Sequence, residues 1–298
     1  MKPLILSEQK NLLSFAAAIN FMKVCFPVKS FGLVAWAYLC IILPSSLVAS
    51  NKLDDLERLA SLEPKPFVVI EASGGKVKNR GQGVVVSEGG YVLSVGHTSW
   101  IEEEGSYSNQ FRISFRGKAN RLPKGHSHRH TTTFSDREGA SFEETYYQAN
   151  LIRFRGSRFW DGADLSVFKM KAKGTFPRIE FFSKIKPSLE IGESLHLCHY
   201  NFPHNPADPF FLINPIEVVG VAQTSSGMQY LAKGYYRVGS SGAAILKNGK
   251  LIGIQSSAYT VNAKGVGEIP LGLISFHLVW QDRLSSILET KRPAKPKK

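Results

Sequence analysis

Residues Gly81 to His97 read GQGVVVSEGGYVLSVGH. Val84-Val85-Val86 and Tyr91-Val92-Leu93 are short β-branched and aromatic runs, and Ser87-Glu88-Gly89-Gly90 between them is made of turn formers. The segment predicts two short strands joined by a tight connection, with His97 delivered just after the second.

The same pattern extends in both directions. Phe67-Val68-Val69-Ile70 precedes it, and β-branched runs separated by glycine recur to the end of the chain, as in an all-β barrel or sandwich. Ile245 to Ile252 reads ILKNGKLI, a hairpin in which Asn248-Gly249 supplies the positive φ angles of a two-residue turn. Helical spacing occurs in a short polar segment with Leu53, Leu56 and Leu59, and again from Leu278 to Leu288, where Leu278, Leu284, Ile287 and Leu288 share one side. No repeat of fixed period is present. Gly117 to Asn150 is polar and rich in Thr, Ser, His and Arg, and is expected to form a long insertion or surface loop.

The first 50 residues differ in character. Lys23 and Lys29 precede an apolar run from Phe31 to Leu43, followed by Pro44 and small residues up to Ser50, the plan of a secretory signal. Val48 and Ser50 occupy the small-residue positions of a cleavage site near Ser50, and Met22 is a candidate internal start. The competing reading is a membrane anchor through residues 31–48. Of three cysteines, only Cys198 lies beyond the signal, so the mature chain forms no internal disulfide. That excludes a small stapled secreted domain and points to a bacterial periplasmic or secreted protein. The formal charge is +13, of which +3 falls in residues 1–50 and five basic side chains crowd the tail KRPAKPKK, 291–298. The tail reads as a disordered, solubilising end with electrostatic attraction to anionic surfaces, and nothing indicates a specific nucleic acid.

Serine hydrolysis needs a hydroxyl beside a base, an acid that orients the base, and backbone N–H groups aimed at the developing oxyanion. Val238 to Leu246, VGSSGAAIL, meets the last need, because glycines on both sides of Ser240-Ser241 allow a sharp loop with converging N–H groups. His97 ends a strand pair, and Asp161-Gly162-Ala163-Asp164 leads into the alternating run Leu165-Ser166-Val167-Phe168.

These segments resemble the trypsin-like, chymotrypsin-fold (PA clan) serine proteases, most closely their HtrA (Deg) branch. There a G-x-G-hydrophobic strand and a G-Y-hydrophobic-L-T/S strand precede the histidine, as Gly81 to His97 do here. The family's D-L/I-A-hydrophobic motif is matched by Asp164-Leu165-Ser166-Val167, and its G-N-S-G-G/A motif by Gly239-Ser240-Ser241-Gly242-Ala243. Ile191-Gly192-Glu193-Ser194-Leu195, leading to Asn201-Phe202-Pro203, is similar to the segment that opens the family's second barrel. The resemblance covers residues 67–260 in the family's order of His, Asp, Ser.

What the resemblance implies is an all-β fold of two antiparallel β-barrels with a short C-terminal helix. The organisation is then 51–66 as an N-terminal segment, 67–175 as the first barrel with its insertion at 117–150, and 176–290 as the second barrel and helix. No PDZ domain is expected. His97 becomes general base and then acid, Asp164 orients it, with Asp161 the competing acid, and Ser241 is the nucleophile. The N–H groups of Gly239 and Ser241 form the oxyanion hole. The function implied is an exported serine endopeptidase acting on protein or peptide through an acyl-enzyme, with no cofactor and no metal. The alternative is a catalytically silent domain of this fold used for binding.

Departures from the pattern are expected to matter. Ser240 stands where the family carries Asn or Asp, which argues against activation by an ion pair to a new N-terminus. The specificity pocket is expected to be lined by Tyr235, Tyr236, Ser256 and Ser257. No carboxylate lies in Ala232 to Val238, which disfavours cleavage after Lys or Arg. His126, His128 and His130 alternate as an extended metal site would, but no acidic or Cys partner supports one, so they are expected as solvent-exposed loop residues. His196 and His199 flank Cys198 and are expected to be structural.

Overall fold

The computed structural model describes residues 57, 60–61, 65–74, 77–101, 105–116, 126–135, 141–153, 163–201, 210–224, 227–237, 239–263 and 267–289. All lie in the second of the two compact units of the chain, Asp55–Lys298. The signal, the leucines of the N-terminal segment, Asp161, Phe202-Pro203 and the basic tail lie outside the described residues. Among the described residues no helix is long and apolar enough to cross a membrane.

Nine strands build the first half. They are β1 (Phe67–Gly74), β2 (Val77–Val85), β3 (Tyr91–Ser94), β4 (Trp100–Ile101), β5 (Ser106–Tyr107), β6 (Gln110–Arg116), β7 (His130–Ser135), β8 (Ser141–Arg153) and β9 (Ser166–Met170). The order β6-β1-β2-β3-β9-β8 closes on itself through β6 and β8, β7 extends from β8 as a hairpin, and β4–β5 form a separate ribbon. The second half contains β10 (Ser194–Tyr200), β11 (Phe211–Thr224), β12 (Gly227–Gly234), β13 (Ala244–Lys247), β14 (Lys250–Ala263) and β15 (Gly267–Leu278), then α1 (Gln281–Glu289). These six strands form a closed barrel in the order β10-β11-β12-β15-β14-β13. The architecture is therefore two antiparallel six-stranded barrels and a short helix near the C-terminus.

Strands buried on both faces explain the continuous apolar runs. Val68, Ile70, Val85, Val92 and Phe168 fill the first barrel, and Leu195, Leu197, Ile245, Ile252 and Phe276 fill the second. Their sequence neighbours point the other way. Phe67, Val69, Val84, Val86, Leu93 and Val167 pack against Cys198, Tyr200, Ala244, Leu246, Leu251 and Ile254 in a seam between the barrels. A strand with one wet face alternates apolar with polar residues, and one with two dry faces does not. Each fully buried Leu or Ile of this seam stabilises by about 1.5–3 kcal/mol relative to exposure.

The Asn-Gly hairpin forms between β13 and β14, with Lys247 opposite Lys250 and φ of 51° at Asn248 and 70° at Gly249. Two expectations are corrected. Leu278 closes β15 rather than opening the helix, which starts at Gln281. The polar stretch 117–150 is not one surface loop, because β7 and most of β8 lie within it, and β8 is a barrel wall paired with β6 and β9. Its inward row is Thr145, Tyr147 and Ala149, so a buried threonine and a buried glutamate, Glu144, paired with Arg116 of β6, conceal the strand from a hydropathy reading.

Candidate active site

Strand register places Asp164 beside His97. Ser94 of β3 pairs with Ser166 of β9 in antiparallel sense, so the three residues following Ser94 and the two preceding Ser166 meet at one end of the barrel. There His97 opens a 3-10 turn, His97–Ser99, and its ring Nδ1 lies 2.6 Å from Asp164 Oδ2. The His97 backbone N–H donates to Oδ1 of the same carboxylate at 3.0 Å, and Gly96 N–H to the Asp164 carbonyl at 3.2 Å. Asp164 is buried, whereas the His97 ring is 40% exposed. A carboxylate facing Nδ1 assigns the proton to that nitrogen, which leaves the Nε2 lone pair free to accept.

Asp164 is held from behind. Ser256 Oγ donates to Oδ2 at 3.1 Å, and the Asp164 N–H donates to His277 Nε2 at 3.1 Å. Gln229 Nε2 is also 3.1 Å from that imidazole nitrogen. Two donors on one nitrogen make it the unprotonated one, so His277 is the neutral Nδ1–H tautomer here. His277 and Gln229 carried no sequence signal as site residues. Their role becomes visible only once β12 and β15 pair behind Asp164.

Ser241 lies in the β12–β13 connection. Its Oγ donates to the Ser256 carbonyl at 3.4 Å, and no hydrogen bond joins it to His97. Ser256 thus links both groups, with its hydroxyl on Asp164 and its carbonyl under Ser241. Ser240, by contrast, is buried and its hydroxyl has no hydrogen-bond partner.

The backbone of this loop is fixed plane by plane. Gly239 and Gly242 adopt φ of 87° and 88°, a region costly for residues with a side chain. The Gly239–Ser240 peptide has its carbonyl held by Gln82 Nε2 at 3.2 Å and its N–H by the Arg237 carbonyl at 3.1 Å. The Ser240–Ser241 peptide has its carbonyl held by Ala243 N–H at 2.8 Å. The Ser241–Gly242 peptide has its carbonyl held by Gln82 N–H at 2.7 Å and its N–H by the Gln255 carbonyl at 2.9 Å. Among the described residues the N–H groups of Gly239 and Ser241 have no acceptor, and free backbone donors can receive a negative charge.

The expected pocket residues separate. Tyr235 and Ser257 are exposed. Tyr236 instead enters the second barrel's core, with its hydroxyl donating to the Tyr259 carbonyl at 2.6 Å. Ser256 is buried and its hydroxyl is engaged by Asp164, not directed at a pocket. The histidine run does not share a face either. His126 is buried, corrected from an exposed loop residue, between Tyr147 Oη at 2.8 Å and the Thr175 carbonyl at 3.0 Å. His128 sits in a turn at φ 56°, and His130 stacks on Tyr146. Among the described residues no group of His, Cys, Asp and Glu is placed to hold a metal.

Burial shifts three titratable groups near the seam. Burial pushes the Cys198 thiol up, so it offers no competing thiolate. Tyr200, whose hydroxyl donates to the Phe67 carbonyl at 3.1 Å, is pushed up to about 12 by burial. His199 is buried with its Nε2 on Asn214 at 2.9 Å, and burial lowers its pKa, with Arg237 acting in the same direction and a hydrogen bond to the Tyr200 carbonyl against it.

No family model and no curated protein matches the sequence. Solved structures do match the fold. The HtrA-type protease AlgW with a tripeptide superposes with a TM-score of 0.51 at 16% identity, over 80% of this chain and 64% of that one. A Ser-to-Ala variant of AlgW, also with a tripeptide, gives 0.51 at 14% identity over 79% and 64%. This chain thus spans just under two thirds of the length of those proteins, and it shares with them a two-barrel, trypsin-like fold.

Proposed function

We propose that this protein is a serine endopeptidase that cleaves protein or peptide substrates through an acyl-enzyme. The observation that carries the reading is the coincidence of three features at one end of the seam. These are the His97–Asp164 pair at 2.6 Å, Ser241 on the neighbouring loop, and two unused N–H donors at Gly239 and Ser241.

In this reading a rotation about χ1 brings Ser241 Oγ from the Ser256 carbonyl to His97 Nε2, a change between staggered wells. His97 accepts the hydroxyl proton as Oγ attacks the scissile carbonyl. Asp164 stabilises the resulting imidazolium without taking the proton. The oxyanion is received by the Gly239 and Ser241 N–H groups. His97 then passes its proton to the leaving amine, and water attacks the Oγ-linked acyl group by the same route in reverse. The signal-like pattern ending at Ser50 supports export of the protein, with a membrane anchor through residues 31–48 as the alternative.

The test is cleavage of a mixture of unfolded proteins, with new N-termini mapped by mass spectrometry. The wild type is expected to generate cuts that Ser241→Ala does not. Equal cleavage by both, or none by a folded wild type, would overturn the assignment.

A further inference from the structure

We propose that the side-chain amide of Gln82 is the positioning group that holds the oxyanion-binding loop in its working shape. The inference rests on the serine-peptidase reading of that loop. Gln82 lies on β2 in the opposite barrel and is 2% exposed.

Every polar atom of Gln82 has a partner, and all but its backbone carbonyl meet one across the seam. Its backbone N–H donates to the Ser241 carbonyl at 2.7 Å, and its backbone carbonyl accepts from Ser94 Oγ at 2.5 Å. Its Oε1 accepts the Tyr200 N–H at 2.8 Å. The two hydrogens of Nε2 go to the carbonyls of Tyr200 at 3.1 Å and Gly239 at 3.2 Å. The amide has only this orientation, because a flipped amide would oppose NH2 to a backbone N–H and its oxygen to two carbonyls.

The consequence is geometric. Gly239 and Gly242 leave the loop free to rotate its peptide planes, so something else must set them. Ser240 supplies nothing, since its buried hydroxyl makes no hydrogen bond. Gln82 alone grips the planes on both sides of the Ser240–Ser241 peptide, one through its backbone and one through its side chain. Removing the amide frees the Gly239 carbonyl and leaves the Gly239–Ser240 plane tethered only through the Ser240 N–H on the Arg237 carbonyl, which loosens it. That displaces the donors without touching the nucleophile, the base or the substrate-binding surface.

The experiment measures saturable inactivation by a biotinylated fluorophosphonate, whose phosphoryl oxygen occupies the oxyanion position. The enzymes are the wild type, Gln82→Met, Gln82→Glu and Tyr147→Phe. Methionine keeps the volume of glutamine and loses the hydrogen bonds. Tyr147→Phe is the stability control, because it deletes a buried hydrogen bond to His126 inside the first barrel, away from the loop. Gln82→Met is expected to lower the maximal inactivation rate by about tenfold or more with the half-saturating concentration within about twofold. Tyr147→Phe is expected to react like the wild type even where its melting temperature falls as far. Should Gln82→Met not fold, Gln82→Glu carries the test. Its ionised carboxylate cannot donate to the Gly239 carbonyl but its protonated form can, so its rate relative to wild type is expected to rise as pH falls. A folded Gln82 variant that reacts as fast as the wild type, or a Tyr147→Phe loss of equal size, overturns the inference and leaves the peptidase reading standing. A wild type that does not react at all overturns both.

Discussion

Asp164→Asn is the substitution whose effect follows most completely from the geometry. The carboxylate accepts hydrogen bonds from the His97 backbone N–H at 3.0 Å, the His97 ring at 2.6 Å and Ser256 Oγ at 3.1 Å. An asparagine offers one oxygen and one NH2. The backbone N–H has no second form, so the amide oxygen faces it and the NH2 faces the ring. His97 then accepts at Nδ1 and carries its proton on Nε2, the nitrogen that takes the Ser241 proton in the proposed mechanism. The Ser256 hydroxyl turns to accept, so the fold is kept while the base is lost. The expected cost is about 10⁴-fold in peptide hydrolysis, which corresponds to about 5.5 kcal/mol of barrier. Initial rates on a protein substrate measure it, with circular dichroism confirming the fold. Ser256→Ala removes one of these bonds and leaves the tautomer intact, so its loss is expected to be far smaller, about tenfold. An Asp164→Asn enzyme retaining more than about a tenth of wild-type activity would refute the reasoning.

Gly242→Ala places a Cβ 1.9 Å from the Gln82 carbonyl and 2.4 Å from Ser94 Oγ at φ 88°. Chemical unfolding is expected to show a loss of more than about 2 kcal/mol, and wild-type stability would contradict that packing. Tyr236→Phe abandons the half-buried Tyr259 carbonyl and is expected to cost about 1 kcal/mol, a fall in melting temperature of about 2–4 °C; no fall would contradict a stabilising role for that hydrogen bond. His199 is held neutral by burial, with Arg237 adding to the effect. Its folded pKa is thus below its unfolded value of about 6.5. The unfolded chain binds a proton that the folded chain refuses, so this contribution is full above about pH 6.5 and declines as pH falls towards the folded pKa. Urea midpoints between pH 7.5 and 5.5 are expected to fall more steeply for wild type than for His199→Asn, and parallel slopes would contradict it.

Much of this architecture was legible in local sequence. Doubly buried strands announce themselves as unbroken runs such as Val84-Val85-Val86, and Asn248-Gly249 marks its own turn. His97 and Asp164 sit at the ends of strand-like runs, where register alone brings them together. What the sequence conceals is pairing that depends on polar atoms far apart in the chain. β8 reads as a loop because Glu144 and Thr145 are buried beside Arg116 rather than solvated. Ser256 reads as a pocket residue because nothing local tells that its hydroxyl reaches Asp164, 92 positions away. Tyr236 reads as a pocket residue because burial inside the second barrel requires β12 and β14 to close around it. Gln82 reads as a spacer between two glycines, since its partners Tyr200 and Gly239 lie 118 and 157 positions downstream.

The central claim is that Ser241, and not its neighbour Ser240, is an activated nucleophile. Its most direct test is to treat the folded protein with a fluorophosphonate and locate the adduct by peptide mass spectrometry. One phosphonyl group on Ser241, retained in Ser240→Ala and abolished in Ser241→Ala and by prior unfolding, is the predicted result. An adduct on Ser240, or no adduct on any serine of the folded wild type, would contradict it.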